Sequence, residues 1–146
     1  MLSNSCRYGI RAVIYLASLS RGKVKTGIKQ ISKDLDLPSP FLAKILQQLA
    51  KQKILDSTKG PHGGFSLLKD PAKISLLDIV RTIDGEEVLT NCIIHSETCV
   101  CVDKNKKPCP VHSDFNEVRT ELIKLFRNKT IQDLVTEAGK SEKIVI

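Results

Sequence analysis

The hydrophobic positions between Ile28 and Phe65 change from helical spacing to the spacing of a hairpin. Ile28, Ile31 and Leu35 are spaced i, i+3 and i+7, which predicts a short helix with one buried face. The segment Asp36-Leu37-Pro38 ends this helix, because the residue before a proline is disfavoured in the α region. A second apolar stripe begins soon afterwards, so a tight turn joins the two helices.

The second helix is predicted to begin at Ser39, whose side chain can cap it, with Pro40 in the first turn where no backbone N–H is needed. Its apolar face consists of Phe41, Leu42, Ile45, Leu46 and Leu49. Away from that face lie Pro40, Lys44, Gln47, Gln48 and Lys51. This second face carries positive charge and amide groups, and it is therefore the surface predicted to be available to DNA.

A glycine-rich hairpin follows the two helices. The sequence predicts a strand from Ile54 to Thr58, a turn over residues 59–64, and a return strand from Phe65 to Leu68. Two helices, a tight turn and a hairpin form a winged helix-turn-helix, a DNA-reading module. Glycines at the tip also let the backbone approach a sugar–phosphate chain closely. The residues predicted to contact DNA are Ser39, Pro40, Phe41, Lys44, Lys59, Gly60, His62, Gly63 and Gly64.

Four further helices are predicted around this module. The first spans residues 4–20, ends at Gly22, and buries the isolated Cys6 as a small apolar residue. A capping box of Ser75 and Asp78 begins another, which ends at Gly85. Ser113 or Asp114 caps a third that runs to Arg127. A second capping box, formed by Thr130 and Asp133, begins the last helix.

The predicted helix over residues 113–127 carries an apolar seam. Phe115, Val118, Leu122 and Leu125 recur at i, i+3, i+7 and i+10, the spacing of a and d positions in a coiled coil. This spacing predicts pairing with an identical helix in a homodimer. The alternative is a core helix of the monomer.

Charge is distributed unevenly along the 146 residues. Residues 1–69 contain 12 Lys or Arg and 3 Asp, a net charge of +9, whereas residues 70–146 contain 11 basic and 13 acidic residues, a net charge of −2. A basic half that contains the helix-turn-helix favours a polyanionic partner. No apolar run approaches the ~20 residues of a membrane span. The N-terminal segment is predicted to be an amphipathic helix rather than a signal peptide, so we expect a cytoplasmic protein without membrane contact.

Four of the five cysteines lie close together, in a segment without clear periodicity. They are Cys92, Cys99, Cys101 and Cys109, with His112 just beyond, and the segment spans residues 86–111. In a cytoplasmic protein this clustering favours metal or redox chemistry over structural disulfides. Thiolate and imidazole are ligands for zinc and for iron in iron–sulfur clusters. A thiol–imidazole enzyme using Cys109 and His112 is the alternative from another functional class, although no substrate-binding motif accompanies the pair.

Four stretches in this order resemble the bacterial transcription regulators that include IscR, NsrR and CymR. The stretches are SCRYGIRAVIYLA, the unit from ISKDLDLPSPFL to VRTIDG, the CPVH element, and KTIQDLV near the end. The resemblance implies a homodimer that binds palindromic DNA and pairs through the helix near residues 113–127. It also implies a [2Fe–2S] or [4Fe–4S] cluster bound by Cys92, Cys99 and Cys109, with His112 as a further ligand.

The chain departs from this family at several positions. The cysteine segment is longer than in IscR-like members, and Cys101 is an additional thiol that could replace His112 as the fourth ligand. Lys59 stands where the wing of the family often has Arg, and Ala43 stands where IscR-like members have Glu. CymR-like members work without a cluster.

The sequence therefore predicts a mainly α-helical regulator with three parts. Residues 1–85 form the winged helix-turn-helix with its two-stranded wing, residues 86–112 form the cysteine-rich sensor, and residues 113–146 form the dimerisation helix and the C-terminal helix. The predicted cofactor is an iron–sulfur cluster. The alternatives are a loop that holds zinc or acts as a thiol switch, and a cluster-free regulator of cysteine metabolism.

Overall fold

The computed structural model describes residues 2–94 and 109–139. The α-helices in chain order are α1 (Asn4–Ser18), α2 (Ile28–Leu35), α3 (Ser39–Lys51), α4 (Leu76–Ile83), α5 (Glu87–Thr90), α6 (His112–Asn128) and α7 (Ile131–Ala138). Two strands, β1 (Leu55–Thr58) and β2 (Gly64–Leu67), lie between α3 and α4, and short 3₁₀ turns occupy Ser20–Gly22 and Pro71–Lys73. The predicted mainly helical winged-helix fold is confirmed.

Helices α2 and α3 form the predicted helix-turn-helix. The first ends at Asp36, whose φ of 51° places it in the left-handed region. The turn is held by Ser32, whose hydroxyl donates to the Leu37 carbonyl at 2.5 Å. The predicted cap at Ser39 is wrong: Pro38 occupies the cap position without a side-chain hydrogen bond, and Ser39 is the first helical residue. The Ser39 hydroxyl instead donates to Ser32 Oγ at 2.7 Å, which ties α3 to α2.

The wing is a two-stranded antiparallel sheet in which Leu55 pairs with Leu67 and Thr58 pairs with Gly64. Both strands begin and end within one residue of the predicted limits. A further pairing lies outside the sequence prediction: the backbone of Thr26 exchanges two hydrogen bonds with Phe65, both 2.9 Å long. The segment before α2 therefore fixes the base of the wing against the helix-turn-helix.

Two clusters of buried side chains hold the helices together. The larger joins α1, α2, α3 and the wing, and the fully buried Ile131 of α7 belongs to it. The smaller consists of Cys6, Leu77, Val80, Leu89 and Phe126, and it joins α1, α4, α5 and α6. Helices of the predicted C-terminal part thus bury residues against the predicted DNA-binding part. The three predicted parts therefore do not have separate cores.

The capping boxes at Ser75–Asp78 and Thr130–Asp133 are both formed as the sequence predicted. They lie side by side, because Ser75 and Thr130 form an isolated bridge through Leu76 N–H to Lys129 O and Ile131 N–H to Ile74 O, each 2.9 Å. A cap by Ser113 or Asp114 is not observed: α6 begins at His112, and Val111 is at the cap position without a side-chain hydrogen bond.

The cysteine-rich segment is not wholly irregular where the structure describes it. The short helix α5 lies in its first part, and Leu89 of this helix is buried in the smaller cluster.

In residues 2–94 and 109–139, no helix has both the length and the apolar character that crossing a membrane requires.

Candidate functional site

The first turn of α3 presents most of the side chains predicted to contact DNA. Pro40 and Lys44 are exposed, and Ser39 is half-buried. Phe41 was predicted to be part of the buried face of α3, but its side chain is 63% exposed. The buried face is instead formed by Leu42, Ile45, Leu46 and Leu49. The N-terminal residues of such a helix are those that contact base edges in the major groove, and an exposed phenyl ring there is suited to a thymine methyl group.

Two polar side chains, one of them on the face of α3 predicted to be open, make contacts within the chain. Gln48 Nε2 donates to the Thr82 carbonyl at 2.6 Å, so this amide links α3 to α4. Arg11 Nη2 donates to the Leu35 carbonyl at 2.8 Å, so this guanidinium satisfies the end of α2. Both groups support the position of the helix-turn-helix, which the sequence alone did not indicate.

The wing presents a cation and a tight turn at its tip. Lys59, Gly60 and His62 are exposed, and the turn is closed by the Gly63 N–H, which donates to the Gly60 carbonyl at 3.0 Å. Gly63 and Gly64 are half-buried. A Cβ atom at Gly63 would lie 2.1 Å from the Thr58 carbonyl oxygen, and one at Gly64 would lie 2.5 Å from the Thr26 carbonyl oxygen. These two glycines therefore allow close backbone approach within the wing.

Lys25 is a cation beside the wing that the sequence prediction missed. Its ammonium group lies 3.4 Å from Asp56 and donates to the Thr58 hydroxyl. The lysine precedes Thr26, whose backbone pairs with β2. That long-range pairing brings Lys25 beside Thr58, the residue before Lys59. A basic residue next to a β-bridge outside the hairpin carries no periodic signal in the sequence.

The structure brings together the described members of the predicted metal site. Cys92 Sγ and Cys109 Sγ are 4.0 Å apart, and the Ile94 N–H donates to Cys92 Sγ at 3.4 Å. The His112 N–H donates to the Cys109 carbonyl at 2.9 Å, so a single turn connects Cys109 to the start of α6. The two cysteines border a small recess, called the cysteine recess below, which is lined by Cys92, Ile93, Cys109, Val111, His112 and Phe115. Cys99 and Cys101, the other predicted ligands, lie outside the described residues.

The spacing of the two sulfur atoms fits shared ligation of one metal ion. At the thiolate–zinc distance of about 2.3 Å, two thiolates on a tetrahedral ion lie about 3.8 Å apart. The observed 4.0 Å is close to this value and well beyond the disulfide bond length of about 2.05 Å. Within residues 2–94 and 109–139, no group of three His, Cys, Asp or Glu side chains is arranged to hold a metal ion. The described donors thus fit as part of a ligand set.

Arg119 of α6 is a polar residue of this region that the sequence prediction did not identify. Its Nη2 atom donates to the Asn91 carbonyl at 2.8 Å, directly before Cys92. Its guanidinium carbon lies 4.8 Å from the centroid of the Phe115 ring, which lines the recess. No sequence motif relates an arginine in α6 to a carbonyl 28 residues earlier, so only the fold reveals this contact.

The predicted dimer seam is divided between two environments. Val118 and Leu125 are 63% and 55% exposed. Leu122 is half-buried against the smaller cluster of its own chain, and Phe115 is half-buried beside Arg119. Two of the four predicted residues therefore remain available for a second copy, while the other two also support the monomer.

Two ionisable groups of α1 have strongly perturbed pKa values. Burial raises the pKa of the Cys6 thiol to about 12, and the nearby Asp84 carboxylate raises it further in the same direction. Burial, followed by the hydrogen bond to Asp34, raises the pKa of Tyr15 to about 12. Hydrogen bonds from Gln30 and then Tyr15 lower the pKa of Asp34. Cys6 therefore stays protonated at neutral pH.

Comparison with known proteins gives a family match over almost the whole chain. The model of the Rrf2 family, described as "Iron-dependent Transcriptional regulator", matches residues 2–137. A candidate HTH-type transcriptional regulator of Aquifex aeolicus is 35% identical over 135 residues, which is 92% of this chain and 91% of that protein.

Two solved structures share the fold. IscR of T. potens superposes with a TM-score of 0.76 at 20% identity, covering 98% of this chain and 91% of that one. CymR of B. subtilis, described as its global cysteine regulator, superposes with a TM-score of 0.74 at 24% identity, covering 94% of this chain and 97% of that one.

Proposed function

The chain belongs to the Rrf2 family of DNA-binding transcriptional regulators, and we propose that it senses iron, oxygen, nitric oxide or redox state through an iron–sulfur cluster at the cysteine recess. The observation that carries this proposal is the separation of 4.0 Å between Cys92 Sγ and Cys109 Sγ, beside His112 at the start of α6. The family consists of transcription regulators rather than enzymes, so a thiol–imidazole enzyme at Cys109 and His112 is set aside.

In this proposal, DNA is bound by the first turn of α3 together with the wing tip. Phe41 and Lys44 contact base edges and phosphates from α3, while Lys59 and the exposed Gly60 and His62 lie against the sugar–phosphate backbone. Lys25 adds a second cation at the base of the wing. The exposed apolar side chains of Val118 and Leu125 support pairing of two α6 helices, which would present two reading heads to a palindromic operator.

The proposed ligands of the cluster are Cys92, Cys99 and Cys109, with His112 or Cys101 as the fourth. When bound, the cluster supplies a redox- and gas-reactive iron centre whose potential depends on whether the fourth ligand is imidazole or thiolate. Cys92 follows α5, and Cys109 precedes α6. Ligation by both residues would hold these two elements at a fixed distance and would thereby bias the spacing of the two reading heads.

Anaerobic purification followed by visible spectroscopy, with iron, sulfide and zinc counts, tests the cluster. We expect a chromophore that is lost in Cys92→Ala and in Cys109→Ala, while both variants remain folded because neither residue belongs to a buried cluster. Anaerobic reconstitution with iron and sulfide that yields no chromophore, combined with tight zinc binding, would refute the cluster.

A zinc site or a thiol switch is the second candidate. The sulfur separation also fits two thiolates on one zinc ion, and it is short enough for oxidation to a disulfide after a small movement. The likeness in fold to CymR is compatible with this candidate. The same metal counts distinguish it, because zinc without sulfide indicates a zinc site, and the absence of both leaves the thiol switch.

A further inference from the structure

Arg119 connects the two chain segments that carry the described cysteines. Its Nη2 atom donates to the Asn91 carbonyl at 2.8 Å, and Asn91 is bonded directly to Cys92. The guanidinium also lies over the Phe115 ring, with 4.8 Å between its carbon atom and the ring centroid. Phe115 belongs to the first turn of α6, immediately after Cys109 and His112. One side chain thus contacts Phe115, which lines the recess, and Asn91, the residue before Cys92.

We propose that Arg119 is the positioning residue of the cysteine pair, holding Cys92 opposite Cys109 by clamping the Asn91 carbonyl onto α6. The hydrogen bond fixes the peptide before Cys92, and the stacking on Phe115 fixes the guanidinium. Arg119 itself is half-buried, so its hydrogen bond is partly protected from competition with water.

Arginine suits this position in a way that lysine does not. The planar guanidinium can stack on an aromatic ring while an edge N–H donates to a carbonyl in the same plane. A lysine would keep the positive charge but lose the fork and the flat face. Arg119→Lys therefore separates positioning from a purely electrostatic effect on the thiols.

The inference concerns the same site as the proposed sensor and rests on that proposal for its biological meaning, but its test needs no cluster. Full-length protein carrying Cys99→Ser and Cys101→Ser retains the pair Cys92 and Cys109, together with the buried Cys6. In glutathione buffer, one glutathione disulfide oxidises the two thiols to a protein disulfide and releases two molecules of reduced glutathione. The equilibrium constant measures how well the pair is held together.

We expect Arg119→Ala to lower that equilibrium constant about tenfold, in line with the loss of a charge-assisted hydrogen bond. The equilibrium constant of Arg119→Lys should be close to that of Arg119→Ala. The matched control is Arg127→Ala, because Arg127 is an exposed arginine of the same helix whose side chain has no hydrogen bond or ion pair with the described residues. Circular dichroism should show the same helix content for all of these proteins. Their midpoints of thermal unfolding should agree within a few degrees.

An unchanged equilibrium constant in Arg119→Ala, or full rescue by Arg119→Lys, would overturn the positioning role. Cadmium(II) titration of the same proteins, followed by thiolate-to-metal charge-transfer absorption, gives a second readout that should weaken in parallel. The two proposals fail separately. If native protein forms no cluster but Arg119→Ala still loses thiol pairing, only the sensor proposal fails; if the cluster forms and thiol pairing is unaffected by Arg119→Ala, only the positioning role fails.

Discussion

The three glycines of the wing differ in what a methyl group would encounter, and this difference makes a quantitative prediction. Gly60 has a φ of 105° but open space around its Cβ position. At Gly63 no left-handed φ is present, but a Cβ would lie 2.1 Å from the Thr58 carbonyl oxygen. Gly64 combines a φ of 148° with a Cβ position 2.5 Å from the Thr26 carbonyl oxygen. Alanine at Gly60 therefore tests conformational strain, alanine at Gly63 tests steric overlap, and alanine at Gly64 tests both together.

The expected costs follow from these environments. Gly60→Ala introduces only backbone strain, which costs about 1–3 kcal/mol. Gly63→Ala introduces overlap with backbone atoms, which costs about 1–3 kcal/mol once the turn shifts. Gly64→Ala introduces both, and the shift must also strain the two hydrogen bonds between Thr26 and Phe65, so we expect a loss of about 3 kcal/mol or more. Gly27→Ala is the control, since its Cβ would have no neighbour within 4 Å.

Urea unfolding monitored by circular dichroism measures these free energies, and the amide signal of Thr26 in a ¹H–¹⁵N spectrum reports the bridge. We expect Gly64→Ala to lose protection of that amide from hydrogen exchange, whereas Gly60→Ala keeps it. DNA binding should weaken most in Gly64→Ala, because the wing is displaced from the segment before α2 that fixes it against the helix-turn-helix. Equal stability of Gly64→Ala and Gly60→Ala would contradict the argument that close approach to Thr26 requires glycine.

Other predictions follow from charge, exposure and ionisation. Lys59→Ala should weaken DNA binding broadly and reduce the slope of log affinity against log salt by about one unit, as for one lost phosphate contact; wild-type salt dependence in fluorescence anisotropy would exclude the contact. Leu125→Asp should shift the sedimentation coefficient from dimer to monomer with the helix content unchanged, and a wild type that is already monomeric at micromolar concentration would contradict the seam. The pKa of Cys6 is raised above that of an unfolded thiol, so the contribution of this thiol to stability is complete below pH 9 and is lost as pH rises towards about 12. The free energies of unfolding of the wild type and of Cys6→Ala, measured across this pH range, should differ less as the pH rises. The pKa of Asp34 is lowered in the fold, so its contribution is present above the unfolded pKa and is lost as pH falls; Tyr15→Phe should raise the pKa of Asp34 in an NMR titration, and an unchanged value would exclude that hydrogen bond.

Local sequence signals predicted the ends of helices well where a local hydrogen-bonding pattern alone determines them. The capping boxes at Ser75 and Thr130 combine a hydroxyl with an acid three residues later, and both form as predicted. Ser39 has the same kind of side chain, yet its hydroxyl donates to Ser32 across the turn. Ser32 lies in the preceding helix, and its pairing with Ser39 depends on how the two helices cross. A tertiary contact thus overrides the local capping preference.

The candidate site was predictable only in its composition. The clustering of Cys92, Cys99, Cys101 and Cys109 predicted metal or redox chemistry, but nothing local predicts that Asn91 is held by α6. Phe41 was assigned to the apolar face because it is large and hydrophobic, although its position places it at the edge of that face. Periodicity assigns a residue to a face only to within part of a turn, so boundary positions need the fold.

The strongest tie between the cysteine recess and the reading head is apolar rather than ionic. Arg81 binds Glu86 at 2.7 Å, but both side chains are substantially exposed, so this pair contributes about 0–1 kcal/mol. Leu89, in the next turn, is buried beside Phe126, and burial of a leucine contributes about 1.5–3 kcal/mol. Helix α4 carries Arg81 and also accepts the hydrogen bond from Gln48 of α3 through Thr82. We therefore expect a displacement of Cys92 to act first on the packing of Leu89 between α4 and α6 and then, through α4, on the helix predicted to read DNA.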